Sequence, residues 1–153
     1  AGIDTLDGGD NNDILTGGTG NDTLYGGYGD DNYVFAAGDG QDVINEYNGI
    51  DKADLNRDLL NVMFERIGND LRVAINGSTD TITVTSWYSN DNNKVETFEA
   101  ADGSTITNIQ IEQLIQAMAS FSTDSGMTWS QALDNQSASA QSLISQYWTA
   151  PTV

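Results

Sequence analysis

Aspartates stand nine residues apart at Asp4, Asp13, Asp22 and Asp31, and Asp42 follows after eleven. Their surroundings repeat with them. GGDNNDILT from Gly8, GGTGNDTLY from Gly17 and GGYGDDNYV from Gly26 each have two leading glycines, an aspartate in sixth place and a large apolar residue in eighth, Leu15, Leu24 or Tyr33. Gly2, Asp4 and Leu6 fit the end of a truncated copy. After a two-residue insertion at Ala36 and Ala37, AGDGQDVIN restores the pattern with Gly38, Gly40, Asp42 and Ile44. The chemistry available is that of oxygen donors. The chain has no cysteine and no histidine, which removes disulfides, thiolate and zinc sites, thiol catalysis and a serine–histidine base.

The repeat reads as a turn of six residues followed by a strand of three. Glycines admit crowded or left-handed backbone and let carbonyls point into the turn. Only the eighth residue faces inward, so one copy cannot bury it alone and successive strands must stack into a two-faced solenoid. Every second turn then falls on the same side. This pairs Asp4 with Asp22, Asp13 with Asp31, and Asp22 with Asp42, with carbonyls from repeat positions one to four completing each shell: Gly8, Asp10, Gly17, Thr19, Gly20, Gly26, Tyr28, Gly29, Asp39 and Gly40. An oxygen-lined gap suits calcium, which takes about 6 to 8 oxygens at about 2.3–2.6 Å, better than magnesium, and the pairs predict about three ions. The insertion leaves the third interval the least regular. Asn11 stands where the fourth-position glycine is usual, and Asn tolerates left-handed backbone.

GGDNNDILT, GGTGNDTLY and GGYGDDNYV resemble the nonapeptide repeats of RTX (repeats-in-toxin) proteins, and NYVFAAGDGQDVINE, RIGNDLRVAI, TDTITVTSWY and FEAADGSTIT resemble the segment that caps such blocks. The resemblance covers residues 1 to 121. It implies a mostly β fold, a calcium-bound parallel β-roll followed by an antiparallel β cap with C-terminal helices. It also implies a secreted protein of the extracellular space or bacterial cell surface, with a C-terminal signal read by a type I exporter. The expected division is a roll over 1–46, a capping region with a helix over 47–121, and a helical tail carrying the secretion signal over 122–153. The expected function is a calcium-dependent folding and capping module of a larger parent, a toxin, adhesin, protease or lipase. The alternative is a surface- or polysaccharide-binding module of an RTX adhesin or enzyme. Because residue 1 is not Met, the chain is expected to be a fragment.

Charge agrees with a cation partner. The 153 residues carry 23 acids and 5 bases, a formal charge of −18, and ten of the acids fall within the first 46 residues. Such a chain repels itself, and nucleic acid is not an expected partner. No run of apolar residues is long enough for a membrane span. A dinucleotide fingerprint fails at Thr23, an EF-hand lacks its alternating acids, and a flexible linker would not space Leu6, Leu15, Leu24 and Tyr33 by nines. Carboxylates are so abundant that no catalytic pair stands out and no nucleophile has a base, so catalysis is not predicted.

The elements that must support this array follow. Leu71, Val73 and Ile75, the turn at Asn76-Gly77, then Ile82, Val84 and Trp87 predict a hairpin. Lys94–Phe98 and the turn at Asp102-Gly103 predict a second strand pair, with Val95, Phe98 and Ile106 in the core. Trp87 and Tyr88 are read as core or rim aromatics, with a sugar platform as the alternative. Arg66 and Arg72 are expected to pair with local carboxylates. Thr107 and Gln110 have capping-box spacing before a helix with Ile111, Leu114, Ile115 and Met118 on one face. A second helix is predicted from Ser137 to Trp148, ended by Pro151, with a short helical turn at Trp129–Leu133 between them.

Overall fold

The computed structural model describes residues 1–151; the last two residues of the predicted tail lie outside the described residues. Two β-sheets share the chain turn by turn. One holds β1 (Thr5–Asp10), β3 (Thr23–Tyr28), β5 (Gln41–Asn45), β9 (Thr81–Val84), β8 (Asp70–Ile75) and β7 (Val62–Ile67), in that spatial order. The other holds β11 (Thr105–Thr107), β10 (Thr97–Glu99), β6 (Lys52–Asp54), β4 (Asn32–Val34) and β2 (Ile14–Leu15). Three helices follow: α1 (Asn108–Ser125), α2 (Trp129–Asp134) and α3 (Ala138–Tyr147).

From β1 to β6 the chain alternates between the sheets, and all pairing there is parallel. The eighth-place residues fall into register: Leu6 opposite Leu24 opposite Ile44, and Leu15 opposite Tyr33 opposite Ala53. Each sheet is then joined to the later half of the chain by one further parallel strand, β9 against β5 and β10 against β6. Beyond those two strands the pairing is antiparallel, β9–β8–β7 and β10–β11. The sheets are therefore mixed rather than a uniform parallel stack, and the parallel ladder continues past residue 46. The glycines do not all lie in turns as read from the sequence: Gly8, Gly9, Gly26 and Gly27 sit inside β1 and β3, where Gly9 pairs with Gly27.

One apolar cluster joins both sheets and the helices. Leu24, Tyr33, Ile44, Ala53, Val84 and Phe98 are fully buried, and Phe64 packs edge-on to Phe98 at 5.7 Å between centroids. Strand β7 escaped the sequence reading because VMFERI alternates poorly and ends in three exposed residues. The 71–75 and 82–84 hairpin and the 97–107 pair form as expected. Thr107 caps α1 in a capping box with Gln110, and Ile111, Leu114 and Met118 are buried while Ile115 packs at the margin. Helix α1 runs through residue 121, the limit expected for the capping region, to Ser125 and packs on α3. Ser137 caps α3, which ends at Tyr147, before Pro151, because Thr149 turns away to bridge Thr105. Trp87 is in the core, with its indole N–H donating to Glu112 at 3.2 Å. Arg66 lies over the Tyr88 ring and donates to the Gly68 carbonyl rather than to a carboxylate, while Arg72 meets Glu65 at 3.4 Å.

Candidate metal centre

The turns between strands line up in two columns. In one, Asp4, Asp22 and Asp42 stand in sequence with Gly17, Thr19, Gly20, Asp39 and Gly40; in the other, Asp13 and Asp31 stand with Gly8, Asp10, Gly26, Tyr28 and Gly29. All three predicted aspartate pairs meet, by one bond type. The Oδ1 atom of each later aspartate accepts the backbone N–H of the earlier one: Asp22 from Asp4 at 2.7 Å, Asp31 from Asp13 at 2.8 Å, Asp42 from Asp22 at 2.8 Å. The two-residue insertion does not disturb the third pair. It is taken up in the tight turn Ala36–Asp39, where the Asp39 side chain accepts the Ala36 N–H at 2.6 Å.

The other carboxylate oxygen is left over. Oδ2 of Asp13, Asp22, Asp31 and Asp51 is buried and accepts no hydrogen bond. Asp22, Asp31, Asp42 and Asp51 are 1%, 2%, 3% and 1% exposed. A buried ionised carboxylate without a partner is costly, so native folds pair such groups or bind metal with them. Burial raises the carboxyls of Asp42 and Asp51 to about 6 and about 7, and like charges nearby add to it. Burial likewise pushes up Asp31, Glu46 and Glu96.

The first glycine of each repeat makes room for that oxygen. Gly8, Gly17 and Gly26 have ordinary backbone torsions, but a Cβ at Gly8 would stand 2.9 Å from Asp13 Oδ2, at Gly17 2.8 Å from Asp22 Cβ, and at Gly26 2.5 Å from Asp31 Oδ2. The fourth-place residue has a different reason. Gly20 and Gly29 have φ of 136° and 130° and stack on the backbone of Gly2 and Asn11 one turn earlier; Asn11 itself takes φ 82°, as its type allows. Of the carbonyls expected to face a cation, Thr19 already accepts Gly2 N–H, Asp39 accepts Gly20 N–H and Gly40 accepts Thr81 N–H, each leaving one lone pair.

The second column extends beyond the residues read from sequence. Asp51 Oδ1 accepts Asp31 N–H at 2.7 Å, and Glu96 accepts Asp51 N–H at 2.8 Å. The signal was present: nine residues after Ala37, EYNGIDKAD puts Glu46 first, Gly49 fourth, Asp51 sixth and Ala53 eighth. Loss of the leading glycines hid it. The first column ends differently. Asp80 accepts the N–H groups of Gly38 and Gly40 at 2.9 and 3.3 Å and the Arg57 guanidinium at 2.9 Å. Burial alone would raise Asp80, but these donors outweigh it and hold its carboxyl below the usual range.

Buried, orphaned carboxylate oxygens with no space for a side chain beside them suit a hard divalent cation bound through oxygen alone. The family described as RTX calcium-binding nonapeptide repeat (4 copies) matches residues 7–44, and the haemolysin-type calcium binding protein related domain matches residues 70–110. These two matches fall on the aspartate columns and on the strands that join them to the later half, so the chain carries an RTX calcium-binding block.

Proposed function

We propose that this chain is a calcium-driven folding and capping module of a larger secreted RTX protein. The observation that carries the reading is the set of buried Oδ2 atoms at Asp13, Asp22, Asp31 and Asp51, each without a hydrogen bond. Calcium, when bound, supplies the positive charge that lets these carboxylates stay ionised while buried. The chain's own residues do the rest. The Asp Oδ1 atoms fix the register of successive turns, the first-place glycines leave the second oxygen clear, and Leu24, Tyr33 and Ile44 bury behind them. In this reading the parallel strands form the β-roll that RTX repeats imply, β7 to β11 with α1 form its cap, and 122–153 is the tail that a type I exporter reads.

Occupied at ten times its dissociation constant, each site adds about 1.4 kcal/mol. Three such sites are enough to reverse a marginal equilibrium. Extracellular calcium modules work in the range of about 10⁻⁴–10⁻³ M, so the roll stays open in a low-calcium cytosol and closes outside. A catalytic role is not part of this reading. Nor is a glycan platform at Trp87, which is buried.

Circular dichroism of the chelator-treated chain during titration with calcium chloride tests the proposal. A cooperative gain of β signal with a midpoint between about 0.1 and 1 mM is expected. A chain equally folded in chelator and in calcium overturns it.

A further inference from the structure

Turn 46–51 differs from the other turns in its column. Glu46 occupies the place that glycine holds at Gly8, Gly17 and Gly26. It is 5% exposed, and its side chain reaches back one turn, so that Oε2 would stand 2.7 Å from a Cβ at Gly26. Oxygens of Asp31, Glu46 and Asp51 all lie within 4.8 Å of one another. The Oδ2 atoms of Asp31 and Asp51 take no hydrogen bond, and their residues are 2% and 1% exposed. Tyr33, which replaces leucine in eighth place, is fully buried and donates its hydroxyl to Glu46 Oε2. Glu46 Oε1 accepts the Tyr47 N–H at 2.8 Å.

We propose that Asp31, Glu46 and Asp51 hold one calcium ion through three side-chain carboxylates, with Tyr33 positioning Glu46, and that this site is the tightest of the series and fills first. The proposal rests on the calcium reading above and adds a ligand outside the matched repeats. Oxygens sharing a calcium at roughly 2.4 Å stand up to about 4.8 Å apart, and this cluster meets that limit. Calcium affinity rises with the number of charged ligands and the rigidity of the site. The Asp4–Asp22 and Asp22–Asp42 intervals bring two carboxylates each, whereas this one brings three, fixed by backbone N–H groups and a buried phenol.

The test is isothermal titration of the full chain with calcium chloride alone, for the parent and for Glu46→Gln, Glu46→Asp and Tyr33→Phe. Glu46→Gln removes a buried like charge and should leave the calcium-free chain no less folded. The expected result is loss of the tightest binding class, with the first ion weakened at least tenfold by Glu46→Gln and by Glu46→Asp, less by Tyr33→Phe, and the remaining ions still bound at higher calcium. An unchanged first ion in Glu46→Gln overturns the proposal while leaving calcium-driven folding intact; a parent that binds no calcium overturns both. Should the variants not fold, crystals of the parent grown in calcium chloride decide. An ion touching all three carboxylates supports the site, and ions at other intervals but none here refute it.

Discussion

Asp22 is engaged on both sides at once: its Oδ1 takes the Asp4 N–H, and its own N–H goes to Asp42. Asp4 immediately precedes the edge strand β1 and is half-buried. Asp22→Ala should therefore raise the calcium midpoint of folding several-fold more than Asp4→Ala, and equal shifts in a dichroism titration would contradict the shared-turn arrangement. Two glycines separate room from torsion. Gly17→Ala would push a methyl into the Asp22 carboxylate and should raise the calcium requirement. Gly38 has φ 83° with nothing within 4 Å of an added Cβ, so Gly38→Ala should cost about 1 kcal/mol of strain and leave calcium affinity alone. Protons should act on the same oxygens. Asp42 and Asp51 titrate at about 6 and about 7 when folded, against about 3.9 unfolded. These two groups hold their protons more tightly in the folded chain, so the stability they contribute without calcium is present below about pH 4 and lost as pH rises toward 7. In chelator, acidification from pH 7 to 5 should restore part of the β signal; a further loss of signal on acidification would refute the assignment.

The two columns end on different elements, the first at Asp80 with a cation beside it and the second at Glu96. Arg57 sits just after β6 and brings a fixed cation to Asp80, ahead of β9. Arg57→Ala removes the cation from that carboxylate, and a loss of about 2 kcal/mol is expected for a charged hydrogen bond at a site where both side chains are 13% exposed. Denaturant unfolding in saturating calcium measures it. Elements with a strong period were legible from the residues alone: the eighth-place apolar ladder, the 71–84 hairpin, and the helix behind the Thr107–Gln110 box. Others were hidden by tertiary context. Strand β7 alternates only over Val62–Phe64, because its far end pairs with β8 outside the core. Turn 46–51 lacks the two leading glycines, Glu46 and Tyr47 standing in their places, and the Glu46 carboxylate reaches back beside Gly26. The first-place glycines looked like a backbone requirement, whereas a side chain is excluded by the Asp22 carboxylate at Gly17, by the Gly26 carbonyl and Asp13 carboxylate at Gly8, and by the Tyr33 hydroxyl and Asp31 carboxylate at Gly26.

For the whole molecule, a charge of −18 is distributed so that the parallel half holds most of the unanswered carboxylates and the later half holds most of the dry core. A chain cut after residue 69 keeps every repeat but loses β9 and β10, the strands against which β5 and β6 pair. It should show little cooperative folding in millimolar calcium, whereas the full chain folds; equal midpoints and amplitudes per repeat would show that these strands are dispensable. That pairing order also sets a clock. The repeats are made first by the ribosome, and the strands that continue their ladders, Thr81–Val84 and Thr97–Glu99, are made well after them. During translation the aspartate-rich half therefore emerges before β9 and β10 exist to pair with it. On the capping reading, assembly is expected to run from late residues to early ones, once Thr97–Glu99 has been made. A nascent chain arrested before Thr81 would stay protease-sensitive even in calcium, and one arrested well past Glu99 would not.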